Sequence, residues 1–238
     1  MKLSVVIPAY NEEKYLPNTL EHVRVALARI SNVETIVVDN QSTDTTPEIA
    51  ETFGARVMSE SEHNIGKVRN TGAAAANGDV IVFIDADTLV FPGTFEAIAT
   101  AMSDLKCLGG AFEAQYEGEL RRLWVRWFMK LWPLLGKLTK IRGGALQYWR
   151  ADVFRELGGY DETIWVGEDI DFHWRMDKLA KQRGGHTTFI GEPKVQTSSR
   201  RWDRMGLFRM LFFTHPVTIF LAWRVRWFWK DWYENAIR

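Results

Sequence analysis

The chain has one cysteine in 238 residues, Cys107. That excludes an intramolecular disulfide and any zinc-type cysteine spacing, and it points to a reducing, cytosolic compartment. Long apolar runs are lacking too. The longest uncharged stretch of the back half, residues 210–223, has 14 residues with His215 neutral and is broken by Pro216; a membrane-spanning helix needs about 20. Met1-Lys2-Leu3-Ser4 runs straight into a strand-like segment and carries no signal-peptide pattern. The loop after that segment, Pro8-Ala9-Tyr10-Asn11-Glu12-Glu13, contains neither glycine nor a cation. This argues against a dehydrogenase, which wants G-x-G-x-x-G there, and against nucleotidyl transfer to a sugar phosphate, which uses a glycine-rich basic loop. No internal repeat or low-complexity tract is present.

What is there is unevenly shared. The net charge is zero, yet residues 1–118 hold 8 basic against 17 acidic side chains, and residues 119–238 hold 22 against 13. All eleven tryptophans lie in the back half, from Trp124 to Trp232. An apolar content of 46% and a charged content of 25% are ordinary for a globular chain, long enough for one large α/β domain or two small ones. The division suggests two jobs: an acidic front, and a basic, aromatic back suited to a negatively charged surface. Nucleic acid is not among the expected partners.

Periodicity predicts strands alternating with helices. Residues 2–8, 33–39, 56–59 and 80–84 read as strands, the first stopped by Pro8. Between them, Leu16, Leu20, Val23, Leu27 and Ile30 recur at helical spacing. Thr45-Thr46-Pro47-Glu48 opens a helix closed by Gly54, and residues 66–77 form a small-residue helix. Further helices are expected at 92–104, 119–140, 151–157 and 168–182, with strands at 108–116 and 145–149. This order implies an α/β fold with a mainly parallel sheet and right-handed crossovers. The expected organisation is one domain over residues 1–204, with 1–118 as a nucleotide-binding part and 119–204 as an acceptor-binding part. Residues 205–238 read as amphipathic helices.

In such a sheet, ligands bind beyond the carboxyl ends of the strands, and the polar motifs fall there. Val80 to Thr88 (VIVFIDADT) is a buried strand ending in Asp85-Ala86-Asp87. Two carboxylates at i and i+2 face one side if the chain stays extended, and they suit a divalent cation, Mg²⁺ or Mn²⁺, shared with substrate phosphates. A strand that simply ends in a polar turn is the plainer alternative. VVIPAYNEE and VVDNQSTDT end two neighbouring strands, the second with Asp39, whose carboxylate can accept from a base imide N–H. GKVRNTG opens a helix with Lys67 and Arg69, and a helix amino terminus with cations favours phosphate.

Together with GGYDETIWVGEDIDFHWR, these motifs resemble the family 2 glycosyltransferases of GT-A fold, in order and spacing over residues 3–175. The resemblance implies a Rossmann-like three-layer sandwich and inverting transfer of a sugar from a nucleoside-diphosphate donor, UDP- or GDP-linked, to a hydroxyl acceptor. It places Pro8, Ala9, Tyr10 and Glu12 in the nucleoside pocket and Asp39 on the base. Asp85 falls near the ribose and Asp87 on the metal, with Asp85 a second metal candidate and Ala86 among the donor-binding residues; Asp169, beside Glu168, falls in the general-base position. The second motif departs from the family pattern: Gln41 stands where glycine is usual. Without the resemblance, Glu168-Asp169 reads as a charged first turn stabilised by the helix dipole. No third metal ligand stands out among His173, His186 and His215.

Three readings stay open. Residues 197–201 (TSSRR) form either an anion site or a solvated basic loop. Trp149, Tyr160 and Trp165 either stack on an acceptor sugar or fill the core. In the back half, Arg121, Arg122, Arg126 and Lys130 accompany Trp124 and Trp132, while Arg209, Arg224, Arg226 and Lys230 interleave with Phe208, Trp223, Trp227, Trp229 and Trp232. This pattern suggests peripheral attachment to the cytosolic membrane face and a lipid-linked acceptor, against core packing or a homodimer contact. A degenerate transferase serving as a membrane scaffold is the non-enzymatic alternative.

Overall fold

A computed structural model describes residues 1–116, 144–200, 218 and 221–229. Its centre is an eight-stranded sheet in the order β3-β2-β1-β4-β7-β6-β8-β5. The strands are β1 (Leu3–Ala9), β2 (Val33–Asp39), β3 (Arg56–Ser59), β4 (Val80–Ile84), β5 (Thr88–Leu89), β6 (Cys107–Tyr116), β7 (Leu146–Arg150) and β8 (His186–Thr197). The helices are α1 (Leu16–Ala26), α2 (Thr46–Thr52), α3 (Ile65–Ala75), α4 (Thr94–Ser103), α5 (Ala151–Glu156) and α6 (Glu168–Gln182).

β3, β2, β1 and β4 pair parallel, as the crossover pattern requires. β7 then enters antiparallel between β4 and β6, β6 and β8 pair parallel, and β5 closes the edge antiparallel to β8. The sheet is therefore mixed, with four parallel pairings out of seven.

Alternation along β1 divides the core into two layers. Leu3, Val5 and Ile7 face Leu16, Leu20 and Val23 of α1, with Phe95 and Ile98 of α4 in the same cluster. Val6, with Ile36, Val38, Ile81 and Phe83, faces Val68 of α3, Phe154 of α5, and Phe172 and Met176 of α6. A strand buried on both faces reads as a continuous apolar run, which is what β1 and β4 show. Burying one such side chain contributes about 1.5–3 kcal/mol. α3 lies very close to the sheet: a Cβ on Gly72 would come within 2.3 Å of Val6 Cγ1 and 2.9 Å of Val38 Cγ2. Glycine there sets the distance between the layers.

The expected 119–140 helix, with its arginines and tryptophans, lies outside the described residues, as do His215 and Arg201. Of the C-terminal aromatic stretch, residues 221–229 are described. They dock on the loop before α6 through Trp165 N–H to the Trp223 carbonyl (2.6 Å), and through Arg224, which pairs with Asp161 (2.7 Å) and donates to Thr163 Oγ1 (3.0 Å). Trp229 is buried against Trp165 and Ala222. Leu221 and Trp227 face outward, 78% and 77% exposed. Among the described residues, no helix is long and apolar enough to cross a membrane.

Candidate active site

A cleft of about 390 Å³ opens at the carboxyl ends of β1 and β4. Its floor is built from two loops laced together. Asn11 N–H donates to Ser42 Oγ (2.9 Å), Thr43 N–H donates to Asn11 Oδ1 (2.8 Å), and Glu12 N–H donates to Thr46 Oγ1 (2.8 Å). This lacing holds Pro8, Ala9, Tyr10 and Glu12 on the cleft wall. Two residues of these loops, Asn11 (φ 53°) and Gln41 (φ 60°), adopt the left-handed conformation. The family's usual glycine at position 41 thus has a local cause, since a side chain is strained there.

β4 ends at Ile84, and the chain turns at Ala86-Asp87 rather than staying extended. Asp85 N–H donates to the Ala145 carbonyl (3.1 Å), and Thr88 N–H to the Asp85 carbonyl (3.0 Å). The Ala86 carbonyl accepts from Thr19 Oγ1 (2.8 Å). Asp85, Ala86 and Asp87 all line the cleft. Each carboxylate has its own guanidinium: Arg69 Nη2 lies 2.8 Å from Asp85 Oδ1, and Arg200 Nε lies 3.1 Å from Asp87 Oδ2.

The start of α6 also lines the cleft. Gly167, in the left-handed conformation (φ 87°), turns the chain into the helix, and Glu168 and Asp169 occupy its first turn. The two acids have different surroundings. Glu168 is buried and ion-paired to Arg69 Nη1, so one buried guanidinium joins Glu168 to Asp85. Burial pushes Glu168 up to about 7; Arg69 opposes the shift and the Asp169 charge adds to it. Burial also raises Asp169, against the pull of Arg69 and with the help of the Asp85 charge. Asp169 Oδ1 accepts the Ile170 N–H (2.9 Å). Its Oδ2 abuts Gly144, where a Cβ would approach to 2.1 Å. Arg69 remains charged despite burial because Asp85 and Glu168 flank it.

Most of the expected site residues thus meet in one cleft: Pro8, Ala9, Tyr10, Glu12, Arg69, Asp85, Ala86, Asp87, Glu168 and Asp169. Two do not line it. Lys67 is drawn to Glu62 (2.8 Å) and Glu60 (3.8 Å), which precede α3. Asp39 turns its carboxylate to the Ser42 N–H at 3.2 and 3.4 Å. Arg69 lines the cleft with its guanidinium engaged by carboxylates rather than held open for phosphate. Trp149 and Tyr160 are core residues and Trp165 alone of the three borders the cleft. His173 is buried beside Trp149, and His186 faces Asp104 at the surface; neither lines the cleft. Gly144 and Asn40 went unread in the sequence. Asn40, right after the strand-ending Asp39, ties the loop before α3 by donating to the carbonyls of Glu60 and Glu62. The 197–201 segment brings Thr197, Ser198 and Arg200 to the cleft, where Arg200 meets carboxylates.

The mixed, mainly parallel sheet with a carboxylate-rimmed cleft at its strand ends has the GT-A fold, and known proteins agree. Residues 4–158 match the family model described as "Glycosyl transferase family 2": the chain belongs to that family. Among curated relatives, validoxylamine A glucosyltransferase of Streptomyces hygroscopicus subsp. jinggangensis is 27% identical over 214 residues, covering 73% of this chain and 51% of that protein. The chain spans about half or less of the length of the curated relatives it matches. Among solved structures, S. aureus TarS 1-349 in complex with UDP superposes with a TM-score of 0.63 at 18% identity, covering 85% of this chain and 62% of that one. The mannosyltransferase PcManGT from Pyrobaculum calidifontis, in complex with GDP-Man and Mn²⁺, gives 0.62 at 20% identity, covering 83% and 56%. These likenesses establish the fold.

The donor set fits a divalent cation. Asp85 and Asp87 offer hard carboxylate oxygens at the cleft, each held now by a guanidinium, and among the described residues the buried Glu12 Oε2 has no hydrogen-bond partner. Among the described residues no group of three or more His, Cys, Asp or Glu side chains forms a metal site. Two carboxylates completed by substrate phosphates is the arrangement Mg²⁺-type ions commonly use.

Proposed function

We propose that this chain transfers a sugar from a UDP- or GDP-linked donor to a hydroxyl acceptor, with inversion, using Asp169 as general base. One observation carries the reading: Asp85, Asp87 and Asp169 line the same cleft, and burial raises the Asp169 carboxyl. Asp169 takes the acceptor proton as the acceptor oxygen bonds to the anomeric carbon, and the bond to the departing diphosphate breaks with its electron pair leaving on phosphate oxygen. Asp87 and Asp85 would hold a divalent cation, which when bound supplies charge compensation for that leaving group. Glu168 is less suited to the base role because Arg69 engages it. Gly144, having no Cβ, lets Asp169 Oδ2 pack against it, and Trp165, buried beneath Arg226, borders the same cleft.

Leu221 and Trp227, beside Arg224 and Arg226, support a further reading: attachment to the cytosolic membrane face and a lipid-linked acceptor. The testing experiment is thermal unfolding with UDP, GDP, CDP or TDP, each with Mn²⁺ or EDTA. A ligand at 100 times its Kd adds about 2.7 kcal/mol. A metal-dependent rise with UDP or GDP is expected; no rise with any diphosphate would sink the donor site.

A further inference from the structure

Arg200 stands between two cleft carboxylates contributed by distant parts of the chain. Its Nη2 donates to Glu12 Oε1 (2.6 Å), its Nε lies 3.1 Å from Asp87 Oδ2, and its Cζ sits 4.4 Å from the centroid of the Tyr15 ring. All three charged side chains are largely buried: Arg200 is 12% exposed, Glu12 8% and Asp87 16%. The pairing is incomplete. Arg200 reaches Glu12 through Nη2 and Asp87 through Nε, and among the described residues neither Arg200 Nη1 nor Glu12 Oε2, both buried, has a hydrogen-bond partner. Buried groups left unpaired make an arrangement easy to displace once a better partner arrives.

We infer that Arg200 is the resident counter-cation of the donor site, and that it yields Asp87 only when a divalent cation and a nucleoside diphosphate bind together. This rests on the donor-site reading above and adds an order to it. A dication arriving alone meets a guanidinium already on Asp87, so two cations compete for one carboxylate. A diphosphate changes the balance. Its oxygens accept guanidinium N–H groups in paired geometry, so Arg200 exchanges the Asp87 carboxylate for phosphate and Nη1 gains a partner. Each ligand then strengthens the other, by the same factor in both directions. Arg200 acts as a positioning residue that ties metal capture to the presence of donor.

The test is Mn²⁺ titration read by electron paramagnetic resonance of the free ion, with and without UDP or GDP. It uses the full chain and the variants Arg200→Gln and Tyr15→Leu, each checked for its fold by circular dichroism. In the unaltered protein the diphosphate should tighten Mn²⁺ at least about tenfold, a coupling of about 1.4 kcal/mol. Arg200→Gln should bind Mn²⁺ alone several-fold more tightly and lose most of the coupling. Tyr15→Leu, which keeps every charge but removes the ring beneath the guanidinium, should shift in the same direction by less. If diphosphate and Mn²⁺ bind the unaltered protein but neither variant tightens Mn²⁺ alone, the counter-cation role is overturned and the donor site stands. If no diphosphate binds with or without Mn²⁺, the donor-site reading fails and takes this inference with it.

Discussion

Asp169, the proposed base, and Gln41 sit on either side of a division between chemistry and stability. A positioned base typically contributes about 10²–10⁴ in rate, so Asp169→Asn should lower kcat by that order while leaving the Kd for UDP or GDP within about twofold. Asp87→Ala should weaken both; equal loss of donor binding in the two variants, measured by calorimetry, would reverse the assigned roles. The raised Asp169 also carries a pH signature. A carboxyl group with a higher pKa folded than unfolded holds its proton more tightly in the folded state. Its contribution is present below the unfolded value, about 3.9, and is lost as pH rises through the folded value. Relative to the unaltered protein, Asp169→Asn should therefore gain melting temperature as pH rises from acid to neutral. Gln41, exposed with φ 60°, has no such task, and Gln41→Gly should stabilise by about 0.5–1 kcal/mol in urea unfolding, the left-handed strain outweighing glycine's added chain entropy. At this scale the placement of Asp85 just past β4 was legible from the apolar run before it, whereas Asp39, which also ends a strand, turns to the Ser42 N–H instead of the cleft. The partners of the cations were not legible. Lys67 answers to Glu60 and Glu62, and Arg200 to Glu12, pairings set by the folded path of the chain.

Among the elements, those with a strong apolar pattern were read most closely. β2, β3 and α6 match their expected bounds, and β1, α3 and α5 shift by a residue or two at their ends. β7 was legible as a strand but not as an antiparallel insertion, because alternation along a strand does not record the direction of its neighbour. β5, two residues long, and β8, whose residues are mostly half-exposed, gave no comparable signal. A close contact between layers lies where Gly72 of α3 meets Val6 of β1 and Val38 of β2. Gly72→Ala forces a methyl against Val6 and Val38, both wholly buried. Overpacking of this kind costs about 1–3 kcal/mol, and the measured loss should fall in that range. A neutral result would mean that α3 can slide away from the sheet without moving Arg69.

For the whole molecule, the acidic front and the basic, aromatic back meet at the cleft. Segment 221–229 clasps the loop that leads into α6, so its inner face supports Trp165 while Leu221 and Trp227 remain outside. Vesicles containing anionic lipid should sediment the protein at low salt, with less bound at high salt and less again for Trp227→Ala. Binding that ignores salt and Trp227 alike would place the contact elsewhere. Arg69 has a consequence of another kind. Its guanidinium comes from α3 and is shared by Asp85 on the front segment and Glu168 beyond residue 144. A hybrid protein made by joining the front of this chain to the back of a relative that lacks the Glu168 carboxylate would take one of two carboxylates from a buried cation and leave Asp85 to hold it, a loss smaller than the ~3–5 kcal/mol of a wholly unpaired buried charge. Crossover points in gene recombination are thus constrained: Arg69, Asp85 and Glu168 are inherited as one unit, whichever sugar the hybrid is built to transfer.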